Sequence, residues 1–125
     1  MSAGTASTDM KRVLRQLGLD SEIIRRAAIA MYEGEINMVI HAHGGVAEVA
    51  IYEDRIEMNL IDHGPGIPDV ELAMSAGYST AAENIRELGF GAGMGLPNMK
   101  KYTDEMTIET EVGKGTTVRM VVRTV

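Results

Sequence analysis

The chain has 125 residues, 45% of them apolar and 24% charged, the balance of one ordinary globular domain. Its formal charge of −6 argues against nucleic acid as a partner, because neutralising phosphates requires a basic surface. Cysteine is absent, which excludes disulfides, thiol nucleophiles and thiolate-held zinc, and no apolar run approaches the roughly 20 residues of a membrane-spanning helix.

Residues 1–9 read as a small polar tail without the apolar segment of a secretion signal, so a cytoplasmic protein with one domain over residues 10–125 is expected. A short helix fits residues 10–17 and stops at Gly18. Asp20 or Ser21 offers an N-cap for a long helix over residues 22–41. Its apolar positions Ile23, Ile24, Ala27, Ala28, Met31, Val39 and Ile40 recur near every third and fourth place. Gly44 and Gly45 end it. Strands are predicted over residues 46–52 and 55–62 across a Glu53-Asp54 turn, the second alternating with Ile56, Met58 and Leu60 on one face. A short helix fits residues 69–75, after Pro68. All three prolines and seven of the fourteen glycines fall between residues 64 and 97, and residues 77–95 carry little periodicity, as functional or disordered segments do. Alternation returns over residues 106–112 and 116–122, joined by Gly113-Lys114-Gly115 as a hairpin. Helices flanking a four-stranded antiparallel or mixed sheet make an α+β sandwich.

Three constellations carry chemistry. Gly89, Gly91, Gly93 and Gly95 run at spacing two into Leu96-Pro97-Asn98, a helix start with proline in its first turn. Bare backbone amides ahead of a helix form an anion site suited to a phosphate chain; a plain flexible linker is the alternative. The spacing is neither a Rossmann fingerprint, since Met94 and Leu96 stand where glycine is needed, nor a P-loop. Asp62 closes an apolar strand and is followed by His63-Gly64-Pro65-Gly66. A carboxylate fixed there can accept from an exocyclic amine such as that of adenine, with Gly64 and Gly66 leaving room for a flat ring; a self-capped turn is the alternative. Glu33 and Asn37 lie four apart on one helix face, a base and a neutral oxygen ligand for phosphate-bound Mg²⁺, or else a solvated polar stripe. Glu35 points away from that face. His41, His43 and His63 share no spacing that recruits a third metal ligand, and Lys100 and Lys101 read as solvated helix charges.

In this order, the residues resemble the GHKL superfamily of ATP-binding domains. The likeness spans about residues 20–122: an N box at Glu33-Gly34-Glu35-Ile36-Asn37, a G1 box at Asp62-His63-Gly64-Pro65-Gly66, a G2 box over residues 89–95, and a last motif at Gly113-Lys114-Gly115-Thr116. Ile40 stands where histidine kinases carry lysine. Gly77-Tyr78-Ser79-Thr80 replaces their Phe-rich box. His41, Gly95-Leu96-Pro97 and Asp104-Glu105-Met106 resemble the serine-kinase branch of anti-sigma factors and switch kinases.

The resemblance implies a two-layer α/β sandwich of the Bergerat type, a mixed sheet with helices on one face, and a flexible ATP lid over about residues 77–93. It further implies a Mg·ATP-dependent protein serine kinase acting on a small partner with a STAS-like fold, and contact with a sigma factor. A nucleotide-dependent sequestering module and a detached histidine-kinase catalytic domain are the alternatives. Glu33 would be the general base, Asn37 the Mg²⁺ ligand and Asp62 the adenine acceptor, with Gly64, Gly66 and Thr116 around the ring. Gly91, Gly93, Met94, Gly95 and Leu96 would cradle phosphates, and Arg86 in the lid would reach the γ-phosphate. Members of the family begin with an extra strand and a full first helix, which this chain replaces with a tail and a short helix; its oligomeric state is left open. Gly34 is an unusual choice inside a helix, costing about 1 kcal/mol against alanine.

Overall fold

Helix α1 spans Thr5–Gln16 in the computed structural model of the chain, which describes residues 4–42, 44–74 and 95–125. It starts earlier than the sequence predicts, so the tail expected over residues 1–9 is helical from Thr5. Nothing local announces this start: the N-cap is Gly4, with φ of 99° and no side-chain cap. Its first-turn amides are met from another helix. The Glu35 carboxylate accepts from Gly4 N and Ala6 N at 3.0 Å and from Ser7 N at 2.7 Å, which satisfies the donors that a helix start leaves orphaned. Met10 and Leu14 are buried, and the chain turns out at Gly18 in the left-handed region, φ 75°.

Helix α2, Ser21–Ala42, follows the predicted stripe in its first half, where Ile24, Ala27, Ala28 and Met31 are buried; further along Gly34, Glu35 and Met38 take the buried face, and Val39 and Ile40 are only half-buried. Asp20 caps it, accepting from Glu22 N at 3.2 Å. Gly44, φ 115°, closes it by donating from its amide to the Met38 carbonyl at 2.9 Å. Gly34 has a packing reason. A Cβ there would lie 2.0 Å from Leu60 Cδ1, so the missing side chain lets the helix lie close against the sheet.

Strands β1 (Val46–Ile51), β2 (Arg55–Asp62), β3 (Glu105–Glu111) and β4 (Gly115–Arg123) form one sheet in the order β1-β2-β4-β3. All three pairings among the described residues are antiparallel, one of the two arrangements the strand pattern left open, and the mixed sheet that the family resemblance implied is not seen among them. Register puts Ile56, Met58 and Leu60 beside Val122, Met120 and Val118, and these six are buried in one core with Met31, Met38 and Met99 from the helices. The opposite face is polar: Glu57 bonds Arg55 at 2.7 Å and Arg119 at 2.9 Å. This alternation is what makes the strands legible, and it leaves the helices on a single face.

Two short helices complete the described residues. Helix α3, Val70–Ala73, is capped by Asp69, which accepts from Leu72 N at 3.0 Å. Helix α4, Gly95–Lys101, carries Pro97 in its first turn and buries Leu96 and Met99. Lys100 and Lys101 are exposed, as predicted. No described helix is long and apolar enough to cross a membrane.

Candidate nucleotide site

Beyond the end of β2 the chain cannot continue straight, because three close approaches require glycine. A Cβ on Gly45 would meet the Ile61 carbonyl at 2.4 Å, one on Gly64 would meet Ala42 Cβ at 2.6 Å, and one on Gly115 would meet the Asp62 carbonyl at 2.1 Å. The end of α2, the end of β2 and the start of β4 are therefore drawn together around Asp62. Its Oδ1 accepts from Gly64 N at 2.9 Å and from Thr116 N at 3.2 Å, which fixes the carboxylate plane. Asp62 and Thr116 are also cross-strand partners in the β2–β4 ladder.

An open cleft lies above this carboxylate. Asn37 and His41 from α2, Asp62 and Gly66 after β2, Gly95, Leu96 and Met99 from α4, and Thr116 and Val118 from β4 all line it. The cleft thus brings together Asn37, Asp62, Gly66, Gly95, Leu96 and Thr116 of the predicted set. Gly64 is not among the lining residues; its Cβ direction faces Ala42. Burial pushes the His41 imidazole below its ordinary value of 6.5, so it faces the cleft neutral at pH 7.

Helix α4 meets α2 at this cleft. A Cβ on Gly95 would sit in ordinary contact with Asn37 Oδ1, at 3.6 Å, so the start of α4 lies beside the one predicted Mg²⁺ ligand. An amide at the wall of this cleft suits Mg²⁺, which keeps most of its coordination for water and phosphate oxygens. Among the described residues no group of three or more His, Asp or Glu could hold a metal by itself.

Glu33, one turn before Asn37, does not line this cleft. It closes a second groove, between α1 and α2, with Ser7, Lys11, Arg25 and Tyr32. Burial pushes its carboxyl above the ordinary value of 4.5, and the side-chain amide of Asn98, donating to the carboxylate, pulls it back. Arg86, Gly91, Gly93, Met94 and the lid predicted over about residues 77–93 lie outside the described residues.

Two supporting residues were not singled out from the sequence. Thr110 Oγ1 accepts from Ile67 N at 2.8 Å and lies 2.9 Å from Thr116 Oγ1, tying the loop after β2 to the β3–β4 hairpin. Its signal was available: counted outward from Gly113, Thr110 and Thr116 fall opposite each other. Asn98 reads in the sequence only as part of a helix start, and nothing local ties it to Glu33.

Known proteins resemble this chain over most of its length. Residues 2–122 match the histidine kinase-like ATPase domain family. An anti-sigma F factor from Caldanaerobacter subterraneus subsp. tengcongensis is 36% identical over 120 residues, 92% of this chain and 80% of that protein. The serine/threonine-protein kinase RsbT of Bacillus subtilis is 30% identical over 115 residues, 89% of this chain and 80% of its own. An anti-sigma F factor from Clostridium acetobutylicum is 34% identical over 104 residues, 79% and 69% of the two chains.

Proposed function

The chain belongs to the histidine kinase-like ATPase family, and from that premise we propose that it is an ATP-dependent protein serine kinase of the anti-sigma and switch-kinase type. The observation that carries this reading is the Asp62 carboxylate, held by two amides in a cleft that also presents Asn37 and Gly95. A carboxylate fixed in that way accepts from the adenine amine. Thr116 stands beside it, and Asn37 takes Mg²⁺ that arrives on the phosphates.

The partner is a small protein with a STAS-like fold that presents a serine, and the setting is cytoplasmic. Glu33 accepts the serine proton as the hydroxyl oxygen bonds to the γ-phosphorus. The bond from that phosphorus to the bridging oxygen breaks, and ADP leaves. Catalysis of this kind is mostly positioning and charge neutralisation. Mg²⁺, when bound, neutralises charge on the phosphates. A second reading, sequestration of a sigma factor with nucleotide setting the conformation, is favoured by the anti-sigma names of the relatives.

Calorimetry with Mg·ATP on the wild type and Asp62→Asn tests the nucleotide site. Micromolar binding by the wild type that is lost in the variant supports it; no binding by the wild type overturns it. Glu33→Gln then divides the two readings. Phosphotransfer lost with ATP binding kept supports the kinase, whereas full regulation of the target by the variant supports sequestration.

A further inference from the structure

The groove that Glu33 closes is built by helical spacing. Arg25, Ala28, Ile29, Tyr32 and Glu33 share one face of α2, three or four apart, and Ser7, Thr8 and Lys11 of α1 make the other wall. None of these residues lines the cleft around Asp62, so Lys11 and Arg25 do not meet the phosphates of a nucleotide bound there. Lys11 is half-buried and joins no ion pair among the described residues. Arg25 pairs with Glu22 at 2.8 Å, but both side chains are more than half exposed. A pair of that kind adds little stability and leaves the guanidinium able to turn to another carboxylate. The charge of the whole helix layer points the same way. Helices α1, α2 and α4 hold seven of the twelve Lys and Arg but only four of the eighteen Asp and Glu, in a chain of net charge −6.

We propose that the groove between α1 and α2 docks the serine-bearing segment of the partner protein, and that this segment is acidic, with a carboxylate for Lys11 and Arg25 and its serine at Glu33. The inference rests on the kinase reading and on Glu33 as the base, and it adds the charge of the substrate. Ala28, Ile29 and Tyr32 give the segment an apolar floor, while the two cations fix its direction along the groove. Spacing makes the recognition more specific. Glu33 follows Arg25 by just over two turns of α2, about 12 Å along the axis. An extended segment rises about 3.3 Å per residue, so its acidic residue belongs about three or four positions from the serine. The segment needs no contact with the cleft around Asp62, which leaves that cleft to the nucleotide.

The test is an NMR titration of the isotope-labelled full chain with two alanine-based peptides. Each carries one central serine; one has glutamates three and four positions away on both sides, and the other has lysines there. The glutamate peptide should shift the amides of residues 7–11 and 25–33, and the lysine peptide should leave them in place. Lys11→Glu and Arg25→Glu should each weaken the glutamate peptide about fivefold. Both variants should keep the wild-type amide pattern elsewhere, which separates a lost contact from a lost fold. No response to the glutamate peptide, an equal response to the lysine peptide, or an unchanged affinity in both variants overturns the docking site. Mg·ATP is titrated separately. Cleft amides that ignore it overturn the kinase reading instead, whatever the peptides do, so the two failures are told apart.

Discussion

Gly34 decides the spacing between helix and sheet by lacking one carbon. Alanine there gains about 1 kcal/mol of helix propensity, yet its Cβ would come within 2.0 Å of Leu60 Cδ1 in a fully packed core. Overpacking of that kind costs about 1–3 kcal/mol, so Gly34→Ala should lower the urea midpoint without changing its slope; a raised midpoint would show that α2 is free to lift. Glu33, on the adjacent position, leads to a pH prediction. Its folded carboxyl titrates above the ordinary 4.5 because of burial. Between those two values the native state binds more protons than the unfolded one, so its contribution to stability falls as pH rises through that window and is flat above it. Glu33→Gln removes this loss. Denaturation at pH 4 and pH 7 should therefore show the variant gaining on the wild type at the higher pH, and an equal gap at both would count against a raised carboxyl.

At the level of elements, α1 depends on a residue outside itself. Glu35 is fully buried and accepts from three amides of the first turn. Glu35→Ala leaves those donors to compete for water at a cost of about 1–3 kcal/mol. Because α1 supplies no residue to the cleft proposed for nucleotide, hydrogen exchange should quicken selectively over residues 5–16 while ATP affinity stays unchanged. Equal quickening across β2 and β4 would mean that α1 and the sheet open as one unit. The same residue explains why the start of this helix was not legible. Capping signals are read within a few positions, whereas this cap acts across 28 residues of chain. The strands were legible for the opposite reason, since Ile56, Met58 and Leu60 show their common face by alternation alone. The short turns at Glu53-Asp54 and Gly113-Lys114-Gly115 make β1–β2 and β3–β4 hairpins, but nothing local sets the direction of β4 beside β2, which is why the sequence left antiparallel and mixed sheets both open.

Across the whole molecule, the cleft exists because separate elements end at one place. Asn37, Asp62 and Gly95 belonged to signals that were each weak in isolation and strong in order, and the fold stacks α2, β2, α4 and β4 around them, with Thr116 beside Asp62. The surroundings of Glu33 were not legible: Ser7 and Lys11 of α1 come to line one groove with it only once α1 has packed on α2. A ligand that touches four elements is bound by the folded chain alone, so its affinity appears directly as stability. At a free concentration one hundred times Kd, Mg·ATP should stabilise the wild type by about 2.7 kcal/mol. Asp62→Asn keeps a side-chain oxygen to accept from Gly64 N and Thr116 N, so the variant should fold, but an amide carries no charge and can turn a donor toward the adenine amine. Its denaturation midpoint should therefore stay where it is when the same nucleotide is added. A wild-type midpoint that ignores Mg·ATP would leave the cleft without a nucleotide. An equal rise in both proteins would place the nucleotide elsewhere on the chain.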